Sequence, residues 1–496
     1  MKRRYITLGL MAWLALSPLH AQPLTLSQAI RIAQENSLEA KTARFSFLAG
    51  YWTYRSFRAE LLPAVNLGGG LMNYDRSLVE TRNYDDGRLS YVSNNTLSNH
   101  LTLSIDQQIA ATGGTVSLQS YLHRLDQFTF EEHTFNSQPL RLSYTQPLRT
   151  YNALKWRKKT APLEYEIAQK RYATALQDVA IRVTSLFFNV LSAQSTYQQS
   201  VAMARERESL YAMAQQRLEL GTTTKSEVLQ MELSLLNARV AEGRNSLALA
   251  DAQYDLFSYL RLTDYERAEL LPPDSVPNLV LSMDEVLQKA IANSSHPLEQ
   301  RLAMLSAEQN LAQAKANRGL QVTLNAELGY MQTGKDWAGA YRHLRDNEII
   351  GLTLRLPIFD WGVSKGRVRM AEAQLEVVKT QQEQAHLDYV EELRRKVMQF
   401  NAQPVQCRDA LRAQEIAEER YDIMYRRFEA GTVSVTDLNT AQQEMTSARA
   451  QYISQLSTFW YDYYSLQKAT LYDWTNDKEI LENEEYGKTY ANDEED

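Results

Sequence analysis

The chain has 496 residues, of which 44% are hydrophobic and 23% charged, and a single cysteine, Cys407. This excludes a wholly disordered chain, a disulfide framework and a zinc ribbon or CxxC redox site. A formal charge of −7 excludes a generally basic chain that coats nucleic acid, and only 12 prolines and 19 glycines favour long uninterrupted helices over an all-β sandwich.

The first predicted element is an export signal. Lys2, Arg3 and Arg4 precede an apolar run from Ile6 to Leu16, and a small residue closes the stretch at Ala21. The pattern predicts a secretory signal peptide over residues 1–21 and a mature chain beginning at Gln22. Its apolar core is too short to span a bilayer, and no cysteine near the cut offers a lipid anchor. Loss of three bases leaves 50 basic against 60 acidic residues, a formal charge of −10. No later run reaches ~18 apolar residues, so a membrane crossing is expected only as β-strands.

Residues 22–262 read as the first of two repeats. Leu26 to Asn36 is a short helix, echoed from Met283 to Asn293. Strands are predicted between about 61 and 148. Val65, Leu67 and Leu71 alternate with Asn66, Gly68 and Gly70; Leu101, Leu103 and Ile105 with Thr102, Ser104 and Asp106; Leu140, Leu142 and Tyr144 with Arg141, Ser143 and Thr145. Within this stretch, strands at 97–107 and 115–122 are joined by a hairpin-turn signal from Ala111 to Thr115. The run Gly68-Gly69-Gly70 lacks the following helix of a nucleotide fingerprint and is read as close strand packing. His123, Glu131, Glu132 and His133 fall in a predicted surface loop, where no metal site is expected.

A helical hairpin over about 152–262 follows, its first helix running roughly 69 residues, or ~100 Å. Leu176, Val179, Val183, Leu186 and Val190 step by three and four, as do Leu229, Leu233, Leu236, Val240, Gly243, Leu247, Ala250, Tyr254 and Phe257 in the returning helix. This is coiled-coil spacing. At the tip, Gly221 suits a left-handed cap, and Thr224 with Glu227 fits a capping box. Pro162 is expected to bend the helix locally.

A linker at 263–280 contains Pro272, Pro273 and Pro277, and residues 281–474 then repeat the plan. Strands are predicted over about 320–358, from Val322, Leu324, Ala326, Leu328 and Tyr330 and from Leu352, Leu354 and Leu356. The second hairpin, about 362–474, carries Pro404 in mid-helix and a tip at Gly431-Thr432, with Ser434 and Asp437 as its capping box. The tip glycines lie 210 residues apart, as do Pro147 and Pro357, whereas Asn36 and Asn293 lie 257 apart. The first repeat therefore holds 47 additional residues. Residues 475–496 read as a solvated acidic tail.

The strand alternation suits a barrel wall with one face to lipid and one to water, and Tyr74, Tyr144, Tyr330, Phe359 and Trp361 are placed as interfacial aromatics. Four shared strands, or six with the extra hairpin, fall short of the ~8 needed to close the smallest barrel, and open edges are not tolerated in lipid. Chains must therefore pool their strands.

The signal peptide, the tandem repeat, strands followed by a long helical hairpin, and the tips Arg217-Leu-Glu-Leu-Gly221-Thr222 and Arg427-Phe-Glu-Ala-Gly431-Thr432 together resemble the outer-membrane efflux protein (TolC) family over essentially the whole mature chain. The resemblance implies a mainly α protomer with a transmembrane β-barrel part. Three chains would share the barrel in outer-membrane lipid, their hairpins forming a periplasmic α-barrel. The implied function is a channel-tunnel of a tripartite efflux or type I secretion system, a passive exit duct for small molecules or proteins. The implied partners are a periplasmic adaptor (membrane fusion protein), docked at Gly221, Thr222, Gly431 and Thr432, and an inner-membrane pump.

The family's gate carries acids six and nine positions after each tip glycine. Position six is Glu227 and Asp437 here, but position nine is Gln230 and Thr440. The family's gate-locking tyrosine is replaced by Phe428 and its arginine by Val433, so an apolar constriction is expected in place of a hydrogen-bonded lock. No cofactor, metal or nucleic acid is implied, and no HExxH, GxSxG or P-loop points to an enzyme. The competing reading is an exported coiled-coil structural or adhesive protein of the cell envelope, with helices bundled around a filled core.

Overall fold

A computed structural model describes residues 24–82, 87–262, 270–273, 276–430 and 432–480, so the predicted signal peptide, Gly431 and residues 481–496 lie outside the described residues. The duplication is visible in matched helix lengths. Helices α1 (Leu26–Asn36) and α5 (Met283–Asn293) have 11 residues each, and α2 (Leu38–Glu60) and α6 (His296–Arg318) have 23. Helices α3 (Ala153–Glu219) and α7 (Val363–Glu429) have 67, and α4 (Lys225–Leu260) and α8 (Val435–Thr470) have 36. Pro162 and Pro404 lie inside α3 and α7, each of which continues through its proline as one helix. The chain divides into two compact units, one built from residues up to 47, 169–294 and from 387 onward, the other from 48–168 and 295–386.

The second unit contains a six-stranded antiparallel sheet in the order β1 (Ala64–Arg82), β2 (Leu89–Ile109), β3 (Gly114–Gln127), β4 (Glu132–Arg149), β5 (Gln321–Gly334) and β6 (Arg345–Arg355). The predicted extra hairpin is β2 and β3, inserted between β1 and β4 and longer at both strands than the apolar alternation marked. Those extensions are interrupted by polar runs, Ser93 to Thr96 in β2 and His123, Arg124, Asp126 and Gln127 around Leu125 in β3, which break the period-two signal. Leu356 falls just beyond β6. His123 is in β3 and not in a loop, its Nε2 paired at 2.9 Å with the Ser98 hydroxyl. Among the described residues no cluster of His, Cys, Asp or Glu is placed to hold a metal.

Directly paired residues share a face. One row runs Val65, Ile105, Leu118, Leu142 and Leu328; the row beside it, on the opposite face, runs Asn66, Ser104, Gln119, Arg141 and Gly329. At this level the sheet is thus apolar on one face and polar on the other. Gly69 permits close approach of β2, since a Cβ there would lie 2.6 Å from the His100 carbonyl oxygen. Phe359 and Trp361 follow β6 outside the sheet, both exposed, with ring centroids 4.5 Å apart.

In the first unit the predicted seam of α3 is buried throughout, from Leu176 to Val190. The predicted seam of α4 is not. Val228, Met231, Leu235 and Ala238 face inward, while Leu229, Leu233, Leu236, Val240, Leu247 and Tyr254 are exposed, Val240 by 73%. Of the predicted α4 series Phe257 is buried, at 2% exposure. The helix therefore has two apolar stripes, and the three-four spacing picked out the one this chain leaves uncovered.

The second repeat packs Leu393, Val397, Phe400, Phe459, Tyr463 and Leu466 into one core, with Phe400 fully buried and 5.4 Å from the Phe459 ring. Phe400→Ala is expected to cost about 3–5 kcal/mol, read from the denaturant midpoint of unfolding. The core extends past α8: Tyr472 and Trp474 belong to it, and β7 (Tyr472–Asp473) pairs with β8 (Lys478–Glu479). Asp477 and Glu479, assigned by sequence to the acidic tail, are part of this ordered turn.

Candidate functional site

The tips are built by backbone chemistry. Gly221, at φ 70°, donates its N–H to the Leu218 carbonyl at 3.0 Å, and the Thr222 N–H reaches the Arg217 carbonyl at 2.8 Å, the two bonds of a Schellman end. The Thr222 hydroxyl donates to the same carbonyl at 3.0 Å. At the second tip the Thr432 N–H and hydroxyl both donate to the Arg427 carbonyl, each at 2.9 Å. The repeated R-x-x-x-G-T thus describes a helix stop that the threonine closes twice. Leu220, between cap and tip, is 78% exposed; nothing in the apolar spacing marks it.

Both capping boxes form. The Glu227 N–H bonds the Thr224 hydroxyl at 3.3 Å while its carboxylate accepts from the Thr223 hydroxyl and the Thr224 N–H. Asp437 accepts from the Ser434 hydroxyl at 2.7 Å and the Ser434 N–H at 3.2 Å. Bonds from Thr223 and then Thr224 hold the Glu227 carboxyl below its ordinary range, and bonds from the Ser434 side chain and backbone do the same for Asp437. A depressed folded-state pKa means that each contribution is present above the ordinary carboxylate range and lost as pH falls through the lowered value. Both carboxylates are exposed and charged at neutral pH.

Glu227 and Phe428 share one cleft of about 350 Å³, lined also by Leu210, Met213, Arg217 and Val433. Asp437 is not in this lining, although its neighbour Ser434 is. Phe428 and Val433 thus stand among apolar side chains with a single acid and a single base, and Gln230 completes the polar rim.

Farther from the tips, side chains link the two hairpins. Arg207, only 4% exposed, donates from Nη2 to Asn439 Oδ1 at 2.7 Å and to Gln442 Oε1 at 2.6 Å, and the Tyr421 hydroxyl donates to Glu206 Oε2 at 2.5 Å. Burial, then the Glu206 bond, raises the Tyr421 pKa, so the phenol stays protonated well above neutral pH. Gln199 donates to the Thr446 hydroxyl at 2.7 Å. A signal for Arg207 was present: the α3 seam continues by threes and fours through Ala193, Tyr197, Ser200 and Ala204 to this residue, and a charge on a seam needs a partner.

The chain combines an antiparallel sheet with an apolar face and two matched helical hairpins that are capped and exposed at their tips. The outer membrane efflux protein family model matches residues 29–260 and 286–460. The chain belongs to that family, which is one of transport channels, and its place is the outer membrane with an extension into the periplasm. It is 23% identical to CyaE of Bordetella pertussis over 308 residues, 60% of this chain and 64% of that protein. It is 24% identical to the outer membrane protein TolC of Escherichia coli over 349 residues, 65% of this chain and 68% of that one. The solved CmeC outer membrane channel of Campylobacter jejuni matches its fold with a TM-score of 0.61 at 14% identity, over 90% of this chain and 85% of that one.

Proposed function

We propose that three copies of this chain form a passive exit duct of a tripartite efflux or type I secretion system. Docking to a periplasmic adaptor would occur at Gly221, Thr222, Gly431 and Thr432, and an inner-membrane pump would drive the flow. The observation that carries the reading is the stripe of α4, Leu229, Leu233, Leu236, Val240, Leu247 and Tyr254, which the described residues leave exposed and which another chain would cover. Light scattering of the purified protein, corrected for detergent, is expected to give the mass of three chains. A monodisperse monomer would contradict it.

In the same reading Glu227, Asp437 and Phe428 form the periplasmic gate, the acids attracting cations and the phenylalanine narrowing the path. The tips act as the adaptor contact. Gly221 is unsuited to a test there, because a side chain at φ 70° strains the cap itself. Leu220→Asp combined with Thr432→Trp is expected to abolish pump assembly, measured by co-purification of the adaptor, while the trimer mass is unchanged. Equal loss of both would make the tips structural only.

A further inference from the structure

We infer that the hairpin β2–β3 is part of the barrel wall, so that three chains close a barrel of eighteen strands in which β6 of one copy pairs with β1 of the next. The inference rests on the trimer reading above. Two strands from each repeat would make four per chain and twelve per trimer; the inserted hairpin makes six and eighteen.

Three observations place the hairpin in the wall. First, its alternation is in phase with its neighbours. Leu101, Leu103 and Ile105 of β2 and Val116, Leu118 and Leu122 of β3 lie on the apolar face that Val65, Leu67, Leu142, Tyr144 and Leu328 continue to either side. An appendage beyond the membrane has no reason to keep one face apolar at the same level.

Second, its polar face is bonded to what flanks it. Asp106 accepts from Asn66 of β1 at 3.0 Å, from Ser104 at 2.7 Å and from Ser117 of β3 at 2.5 Å, and Arg141 of β4 donates to Gln119 of β3. Third, its turn is tied to the junction between β4 and α3. Asn152 donates to the Ala110 carbonyl at 3.2 Å, and its Oδ1 accepts the Lys155 N–H at the start of α3. Gln146 donates to the Thr112 carbonyl at 3.1 Å. The hairpin is built into the base of the sheet.

The occupant of the two open edges is a second copy of this chain. The pairing is antiparallel throughout six strands, so β1 and β6 run in opposite directions and the β6 edge of one copy meets the β1 edge of the next as another antiparallel pair. Barrel diameter grows roughly linearly with strand number, so the lumen is about half again as wide as a twelve-stranded one. Its lining is the polar face of Asn66, Thr102, Asp106, Ser117, Arg141 and Asn325.

The full-length trimer in lipid nanodiscs, imaged by electron cryomicroscopy, is expected to show eighteen strands. A trimer with twelve wall strands and β2–β3 outside overturns the inference and leaves the channel reading standing, whereas a monomer overturns both. Cysteine labelling gives an independent readout, since Cys407 is buried with its thiol pushed up to about 11 and stays silent. In vesicles, a membrane-impermeant thiol reagent should modify Ser117→Cys at least about tenfold faster than Leu118→Cys, because hydrocarbon excludes both thiolate and reagent. Equal rates at the two positions would overturn the wall assignment.

Discussion

Replacing Arg207 by Ala is expected to destabilise the chain by about 3 kcal/mol and to raise single-channel conductance, because charged hydrogen bonds are worth about 1.5–3 kcal/mol each and buried acceptors left unpaired are costly. Arg207 occupies a seam position of α3 and supplies two bonds to α8, so its loss both opens a gap and unties two hairpins. Arg207→Met separates these effects. Methionine fills the seam without the bonds, so stability should recover in part while conductance stays high. Tyr421→Phe, which removes only the hydroxyl bonded to Glu206, should raise conductance with little change in stability. If Arg207→Met restores wild-type conductance, the arginine packs and does not tie the hairpins together.

The second large effect is expected at the tip acids. Exchanging Glu227 for Gln and Asp437 for Asn together keeps much of the capping geometry and removes the charge. In the proposed trimer these residues would supply six carboxylates around one mouth, and close like charges raise the local cation concentration. Cation preference from reversal potentials and block by multivalent cations should both fall, with thermal stability nearly unchanged. In the unaltered protein the preference should persist below the ordinary carboxylate range, since hydrogen bonds hold both groups down. Should the two acids serve only as caps, selectivity would stay the same and stability would drop by a fraction of the roughly 0.5–2 kcal/mol of a lost cap.

Much of this architecture is legible in the residues, because long helices, a duplication and helix stops leave local signals. The three-four spacing from Leu176 to Val190 and the Gly-Thr tips locate α3 and α7 to within a residue or two. The same rule misread α4, where two apolar stripes compete and the periodic one faces out; which stripe a chain buries depends on its neighbours, and spacing carries no such information. Strand ends were lost for a related reason. Residues such as Asn94, Asn95 and Thr96 extend β2 by backbone pairing and polar contacts such as that of Asn94 with Asp75, with no apolar side chain to impose alternation. Phe428 and Val433 line one cleft with Glu227. The polar ties between the hairpins at Glu206, Arg207 and Tyr421 join side chains from helices distant in sequence, which no local spacing announces.

Conductance tests the channel most directly against an envelope coiled coil with a filled bundle. Purified full-length protein is reconstituted into a planar bilayer and single insertions are recorded at fixed voltage. Discrete, uniform current steps that rise with salt concentration are the expected result, because a water-filled channel with a polar lining passes ions. Protein that inserts with the mass of three chains yet leaves the bilayer electrically silent, in the wild type and in Arg207→Ala alike, would contradict it.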